Sequence, residues 1–500
     1  MDAQLTTDQK AVATSDAYAH LKTGRGAAAI RGVLWSGLNA SVPTIASSLV
    51  FIISSRYLTP TDFGLVALAG SIGAFGSALA PAAFGEALVQ RLTIEDRHLD
   101  TVFWLCLTSA LLIYLAIVAA APTIANYVDH PELWPLIIVL GLRMVFDLAA
   151  AVPHALITRS MAFNLIAMRT MIATIISSAL CLGLITAGFG LWALAISQLS
   201  ISAVSCAASF WNAGWRPGIE IRISALHDLG RYGAFASANR FLSLMSLDQI
   251  IIGALGGALL LGIYNFAKRL YSMLHEIVTG ALSSVSHTLM SSLQDSRERV
   301  RDAFLLATFG SAVIAFPAFL GLATIAGDAI PLIFGDQWVG AIRPTQWFCL
   351  IGLLSCIGAI QYALINSQGK NNWWFYYALV QQIGTIAVIG LTYEKGVETM
   401  TMGIAVKTLL IWPASVHLSL TILGMSLIPY AKQFLAPLAA SLLMSACIIW
   451  VGDHLVSPSP LPRLIILVSL GALTYATLMA LLATRRMRHA VDLLRRKTRT

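Results

Sequence analysis

Apolar runs of about twenty residues, each long enough to cross a hydrocarbon core as a helix, follow one another along almost the whole chain. Backbone in lipid must satisfy its polar groups internally, so such a chain is confined to a bundle of spanning α-helices. Composition agrees: 57% of the 500 residues are apolar and 11% charged, and the mean hydropathy is +0.77, whereas soluble domains carry about 25% charged residues. About 14 spans are read from the pattern: 32–55, 63–90, 101–122, 133–157, 162–186, 190–212, 231–253, 260–290, 303–327, 344–366, 372–392, 398–424, 433–452 and 464–484. The residues before the first run are mostly polar. No cleavable signal peptide is therefore expected, and the first span serves as its own insertion signal.

The net charge of +8 would suggest a nucleic-acid partner in a soluble protein, but here topology explains it. Most lysines and arginines fall in the loops on the side of the termini, as at Arg297, Arg299 and Arg301 and in the tail from Arg485 to Arg499. The opposite loops hold Arg56, Arg343, Lys395 and Arg463. The positive-inside rule thus puts both termini in the cytoplasm. The longest loops, 212–230 and 328–343, have no room for an aqueous domain. The pair Gly369-Lys370 lacks the upstream glycine of a Walker motif, with Leu364 in its place. HExxH, GxSxG and DxD patterns are absent, so no catalytic residue is assigned. All six cysteines sit in apolar segments without CxxC spacing and read as small core residues, not as metal ligands. His98 and Asp100, in a loop on the side of the termini, read as solvated.

The chain also repeats itself. Phe51 to Ala69 is the end of one apolar run, a polar corner at Arg56–Asp62, and the start of the next. Laid over Gln249 to Ala267, it places Ile52 and Ile53 on Ile250 and Ile251, Gly64 on Gly262, and Ala69 on Ala267. Leu156-Ile157 and Gly188 fall on Leu364-Ile365 and Gly396 at nearly the same offset. One unit of about 200 residues, used twice, is the expected architecture. The second span carries Gly64, Gly70, Gly73 and Gly76, which admit close helix approach, and Pro81, which can kink it. Rocking movement and static packing are both compatible with that pattern.

Charge at bilayer depth costs at least ~2.5 kcal/mol per residue at the centre of a span and faces the bundle interior or water by default. In the eighth span Asn265, Lys268, Arg269, Ser272, Glu276, Thr279, Ser283 and His287 recur at steps of three and four, a single helix face. Two adjacent cations against one acid favour a cavity wall, and polar interhelical packing is the competing reading. The seventh span adds Asn239, Arg240, Ser243 and Asp248. Arg143 and Asp147, at i and i+4, can pair with each other, so a structural ion pair competes with a functional role there. Arg169 has no partner at helical spacing. Glu86 is a further acid at depth, and Lys407 is placed near a membrane face, within snorkelling reach.

Three segments then resemble a family. Arg-Tyr-Leu-Thr-Pro-Thr-Asp-Phe-Gly (Arg56 to Gly64), Arg-Ser-Met-Ala-Phe (Arg159 to Phe163) and Gly-Phe-Gly-Leu-Trp-Ala-Leu (Gly188 to Leu194) are similar to motifs of the Wzx-like lipid-linked oligosaccharide flippases. Those belong to the multidrug/oligosaccharidyl-lipid/polysaccharide exporter superfamily. The resemblance implies an all-α membrane protein with an N-lobe at 31–214, a linker at 215–230 and a C-lobe at 231–425. Two further helices occupy 426–484, and cytoplasmic tails lie at 1–30 and 485–500. The lobes form a V around a cationic cavity that opens alternately to either side. The implied substrate is an undecaprenyl-diphosphate-linked oligosaccharide unit, moved from the cytoplasmic to the periplasmic leaflet of a bacterial inner membrane for exopolysaccharide, O-antigen or capsule synthesis. The polymerase and chain-length components of such a system are the protein partners implied, with no nucleic acid.

On that reading Arg240, Lys268 and Arg269 receive the diphosphate, and Arg143 and Arg169 supply the first-lobe share. Without an ATPase, the membrane potential or an H+ or Na+ gradient drives or resets the cycle, and Asp248, Glu276, Asp147 and Glu86 are the coupling candidates. No other cofactor is expected, and the protein is not expected to be an enzyme. Two alternatives stay open: a multidrug exporter on the same scaffold, which the cationic lining disfavours, and a membrane polymerase or glycosyltransferase, which the short outer loops disfavour.

Overall fold

The structure is a computed structural model that describes residues 43–81, 84–90, 94–219, 222, 246–292, 296–455 and 459–482, with side chains 90, 163, 280–292 and 371 outside the description. It contains helices and no strand among those residues. They are α1 (43–57), α2 (Pro60–Leu79), α3 (Phe84–Gln90), α4 (Asp96–Val128), α5 (Leu133–Ala149), α6 (Ala151–Arg159), α7 (Phe163–Thr186) and α8 (Leu191–Ala213). There follow α9 (Leu247–Ser292), α10 (Arg297–Phe334), α11 (Ile342–Ser367), α12 (Asn371–Thr392), α13 (Gly396–Leu423), α14 (Leu427–His454) and α15 (Pro460–Leu482). Short 3-10 turns at Asp336–Ala341 and Tyr393–Lys395 join α10 to α11 and α12 to α13. Among the described residues, ten helical stretches can cross a membrane by length and composition, eleven when α5 and α6, bent by 40°, count as one. One of the ten, Asn372–Leu423, folds back on itself at the second 3-10 turn.

Two expected spans are not single straight helices. The run read as 63–90 ends as α2 at Leu79 and resumes as α3 beyond Pro81. Proline has no N–H to give and disfavours helix in the residue before it, and Ala80 is accordingly extended (ψ 151°). The run read as 133–157 bends at Ala150, between α5 and α6. Most of the seventh span, 231–253, lies outside the described residues.

The polar corner after α1 is a helix start. Thr59 accepts from the Asp62 amide, the Asp62 carboxylate accepts from the Thr59 amide at 2.9 Å, and Pro60 takes the first helical position. That capping box satisfies donors which would otherwise be orphaned at the entrance to a membrane helix. The equivalent corner of the second repeat is Gly257, whose φ of 77° and ψ of 178° break α9 into two segments. Only glycine holds that conformation cheaply.

The repeat shows in how these corners meet. A Cβ built on Gly64 would run into the Ala258 carbonyl, with the Gly262 nitrogen next to it. A Cβ built on Gly262 would run into the Pro60 carbonyl, with the Gly64 nitrogen next to it. Under the sequence overlay Pro60 becomes Ala258 and Gly64 becomes Gly262, so the two contacts exchange. This is the signature of a self-complementary interface about a two-fold axis, here between the halves of one chain. The α2–α9 interface built on it is the most extensive helix pair among the described residues. Around it Leu65, Leu68, Leu136, Ile252, Leu261 and Phe348 form a buried core shared by both halves.

The same end is sealed by aromatic packing. Phe51 and Phe63 of the first half meet Phe266, Phe334 and Trp338 of the second, with Phe266 stacked on Trp338 at 4.0 Å. Trp338 and Gln337 both donate to the Ser55 carbonyl, at 2.8 and 2.7 Å. Arg56 donates to the Leu332 and Ile333 carbonyls, filling the open C-terminal acceptors of α10. At the other end His98 and Asp100 are not solvated but 1% and 5% exposed. Asp100 accepts from the Gly218 amide at 2.9 Å, Trp104 donates to the Gly218 carbonyl, and Thr101 accepts from the Arg222 amide. These bonds fasten the chain that follows α8 to the start of α4.

Candidate functional site

Among the described residues, two cavities with polar side chains in their walls lie behind the seal. The central one, of about 450 Å³, is walled by α1, α2, α7 and α8 of the first half and by α9 of the second. Phe51, Phe63 and Phe266 close its sealed end, and Ser47, Ser71, Ser177, Ser197, Gln198, Gln249 and Asn265 supply hydroxyls and amides. Arg269 brings the positive charge, with one guanidinium nitrogen 3.3 Å from the Ser47 hydroxyl. The second cavity, of about 590 Å³, lies within the first half and is lined by Glu86, Asp147, His154, Thr158, Arg169, Ser202, Ser205 and Cys206.

Arg143 connects the two. Its guanidinium donates to Ser202, which lines the second cavity, at 3.1 Å, and to Gln198, which lines the first, at 3.5 Å. The Asp147 carboxylate stands 3.6 Å away, so the expected i,i+4 pair forms. Both partners are nearly half exposed, and such a pair is held weakly. Arg169 donates to Ser209 at 3.0 Å and contacts the His154 ring nitrogen at 3.1 Å, while its Nε is buried without a hydrogen-bond partner. Guanidinium groups cannot shed their charge. Arg269, Arg143 and Arg169 therefore bring fixed positive charge to both cavities, held by serine, glutamine and histidine partners, with the Asp147 and Glu86 carboxylates beside them in the second.

Not every residue expected at the site is there. Lys268 does not line either cavity. Adjacent positions on a helix point about 100° apart, so when Arg269 faces the central cavity Lys268 faces Asp248. They form an ion pair to which the Tyr264 hydroxyl also donates, at 2.8 Å to the same oxygen. Lys268 and Asp248, read as an anion receptor and a coupling acid, are thus one ion pair, its acid buried and its lysine partly exposed. Ser272 and Thr279 bond to carbonyls of their own helix. Glu276 is exposed and lines neither cavity. Arg240, Asn239 and Ser243, with the side chains of Ser283 and His287, lie outside the described residues. Lys407 does not snorkel; it is hydrogen-bonded between α12 and α13.

A polar face on α8 belongs to the site as well. Gln198, Ser202, Ser205 and Ser209 recur at steps of four, three and four, the helical spacing that singled out α9, and three of the four line a cavity while Ser209 holds Arg169. Serines are so common in membrane helices, where they bond their own backbone, that the stripe is visible only beside the arginines it serves. His154 carries no such signal, because its partner Arg169 lies on a different helix.

Comparison with known proteins places these features in context. A family profile described as "Polysaccharide biosynthesis protein" matches residues 53–343. The succinoglycan biosynthesis transport protein ExoT of Rhizobium meliloti is 25% identical over 93% of this chain and 95% of its own length. The lipopolysaccharide biosynthesis protein WzxC of Escherichia coli is 27% identical over 66% of this chain and 68% of its own length. Among solved structures, an inward closed conformation of the lipid II flippase MurJ superposes with a TM-score of 0.72 over 91% of this chain and all of that one, at 14% identity.

Proposed function

This chain belongs to the polysaccharide biosynthesis protein family, and from that premise we propose that it is a flippase for polyprenyl-diphosphate-linked oligosaccharides. The observation that carries the reading is the series of three arginines, Arg269, Arg143 and Arg169, set among hydroxyls and amides from the central cavity into the first half and outnumbering the carboxylates Asp147 and Glu86 beside them. A diphosphate cannot leave water for hydrocarbon without replacement of its hydration. Guanidinium groups, with fixed charge and forked donors, replace it best. The sugar units pass through the serine-lined space while the prenyl chain stays in lipid.

The names borne by ExoT, WzxC and MurJ support the substrate class. The charge distribution supports an orientation with both termini in the cytoplasm; in that orientation the sealed end at Gly64 and Gly262 faces the periplasm and the cavities are offered to the cytoplasmic leaflet. The cell inner membrane is the proposed location, and the polymerase and chain-length components of the export system are the proposed protein partners. Movement consists of the halves parting at the sealed end as they close at the other.

The reading is tested in vesicles holding the purified protein and a fluorescent polyprenyl-diphosphate oligosaccharide, with leaflet position read by a membrane-impermeant quencher. Replacing Arg143, Arg169 and Arg269 by glutamine, singly and together, should slow transfer by about tenfold or more per arginine, since a hydrogen bond to a charged group contributes ~1.5–3 kcal/mol. Transfer at the parental rate in the triple variant would overturn it.

A further inference from the structure

Lys407 belongs to neither cavity and, among the described residues, to no ion pair. It stands about 16 Å of helix rise from Gly396, close to the middle of a hydrocarbon layer about 30 Å thick. Its stem lies across Gly384 of α12. Its Nζ reaches three oxygens of that helix: Gln381 Oε1 at 2.7 Å, Thr385 Oγ1 at 2.9 Å and the Gln381 carbonyl at 3.1 Å. All three are neutral.

Titratable groups on the surrounding elements include Tyr376 and Tyr377 on α12, Tyr362 on α11, Tyr264, Tyr271, His275 and Glu276 with the Lys268–Asp248 pair on α9, and Tyr393, Glu394 and Lys395 in the 3-10 turn, while the lysine's own helix carries Glu398 and His417. On α10 they are Arg297, Glu298, Arg299, Arg301 and Asp302 at its start and Asp328 further on, the last paired with Arg463. None is hydrogen-bonded or ion-paired to Nζ. Tyr377 is one bond removed, accepting from Gln381 Nε2 at 3.0 Å.

An ammonium at this depth without a counter-ion is expensive, whereas the neutral amine is not. The cage serves both forms. In the charged form the three N–H bonds point at the three oxygens, and the Thr385 hydroxyl donates to the Gln381 carbonyl at 2.9 Å. In the neutral form two N–H bonds keep the Gln381 oxygens, and the Thr385 hydroxyl turns to donate to the nitrogen lone pair. No partner is lost in either state. The arginines cannot make this change, and Lys268 is ion-paired with Asp248.

We propose that Lys407 is the proton-carrying residue of the transport cycle, an inference that rests on the flippase reading and adds its energy source. The Nζ lone pair takes a proton from water on the periplasmic side, forming the third N–H bond. That bond breaks toward cytoplasmic water on the return, leaving the electron pair on nitrogen. One proton enters for each headgroup moved outward.

The test uses the same vesicles with a pH dye enclosed. The parental protein should move protons with the fluorescent lipid. Lys407→Arg, always charged, and Lys407→Gln, never charged, should both lose at least nine-tenths of the substrate-dependent proton signal while the lipid still equilibrates without a gradient. Thr385→Val leaves the lysine but takes an acceptor from its charged form and a donor from its neutral form; the charged form loses the stronger bond, so the pH midpoint of gradient-driven transfer should fall by about one unit. This variant decides the matter if the lysine variants do not insert. Proton movement retained in Lys407→Arg, or an unmoved midpoint in Thr385→Val, overturns the proposal. Lipid transfer in the parental protein with no proton signal also overturns it and leaves the flippase reading intact. Absence of any lipid transfer defeats the flippase reading, and this proposal with it.

Discussion

Adding one methyl at the two-fold contact should prop the sealed end open. In Gly64→Ala the new carbon meets the Ala258 carbonyl, and in Gly262→Ala it meets the Pro60 carbonyl. Both obstacles are backbone, so no rotamer change relieves the clash and the halves themselves must separate. Overfilling a packed contact costs ~1–3 kcal/mol. The penalty falls on the closed arrangement alone, so the ratio of open to closed should rise about 5–150-fold. Because the contacts exchange under the repeat, the two substitutions should have similar effects.

The assay is labelling of Asn265→Cys, in the central cavity, by a membrane-impermeant maleimide added from the periplasmic side. The background comes from the same protein without that cysteine. Labelling should accelerate in either alanine variant. It should stay unchanged in Gly390→Ala, where the added carbon meets nothing within 4 Å. Equal labelling rates in all three, or an effect at only one of Gly64 and Gly262, would refute the two-fold seal.

Two further outcomes are expected. Lys268→Met leaves the Asp248 carboxylate buried and without its cation and should cost ~3 kcal/mol in thermal unfolding of the purified protein, much of it recovered in Lys268→Met/Asp248→Leu. Asp100→Ala strips the Gly218 amide of its acceptor. The cost should be ~1–3 kcal/mol, with faster hydrogen exchange at Gly218.

The class of the molecule could be read from one dimension, because the rules that set it are local. Length and apolarity of each run make a helix in lipid, the balance of lysine and arginine orients it, and Thr59-Pro60-Thr61-Asp62 starts one with its own caps. Even the repeat is legible, since both copies must build the same hairpin. Which charges meet is a different matter. Arg269 reaches Ser47, Arg143 reaches Ser202, and Arg169 reaches His154 and Ser209, each across a helix boundary where side-chain direction depends on how neighbouring helices are rotated. One helical step decided that Lys268 would be spent on Asp248 while Arg269 faced the cavity. Periodicity names the face of a single helix; only the packed bundle says what that face looks at.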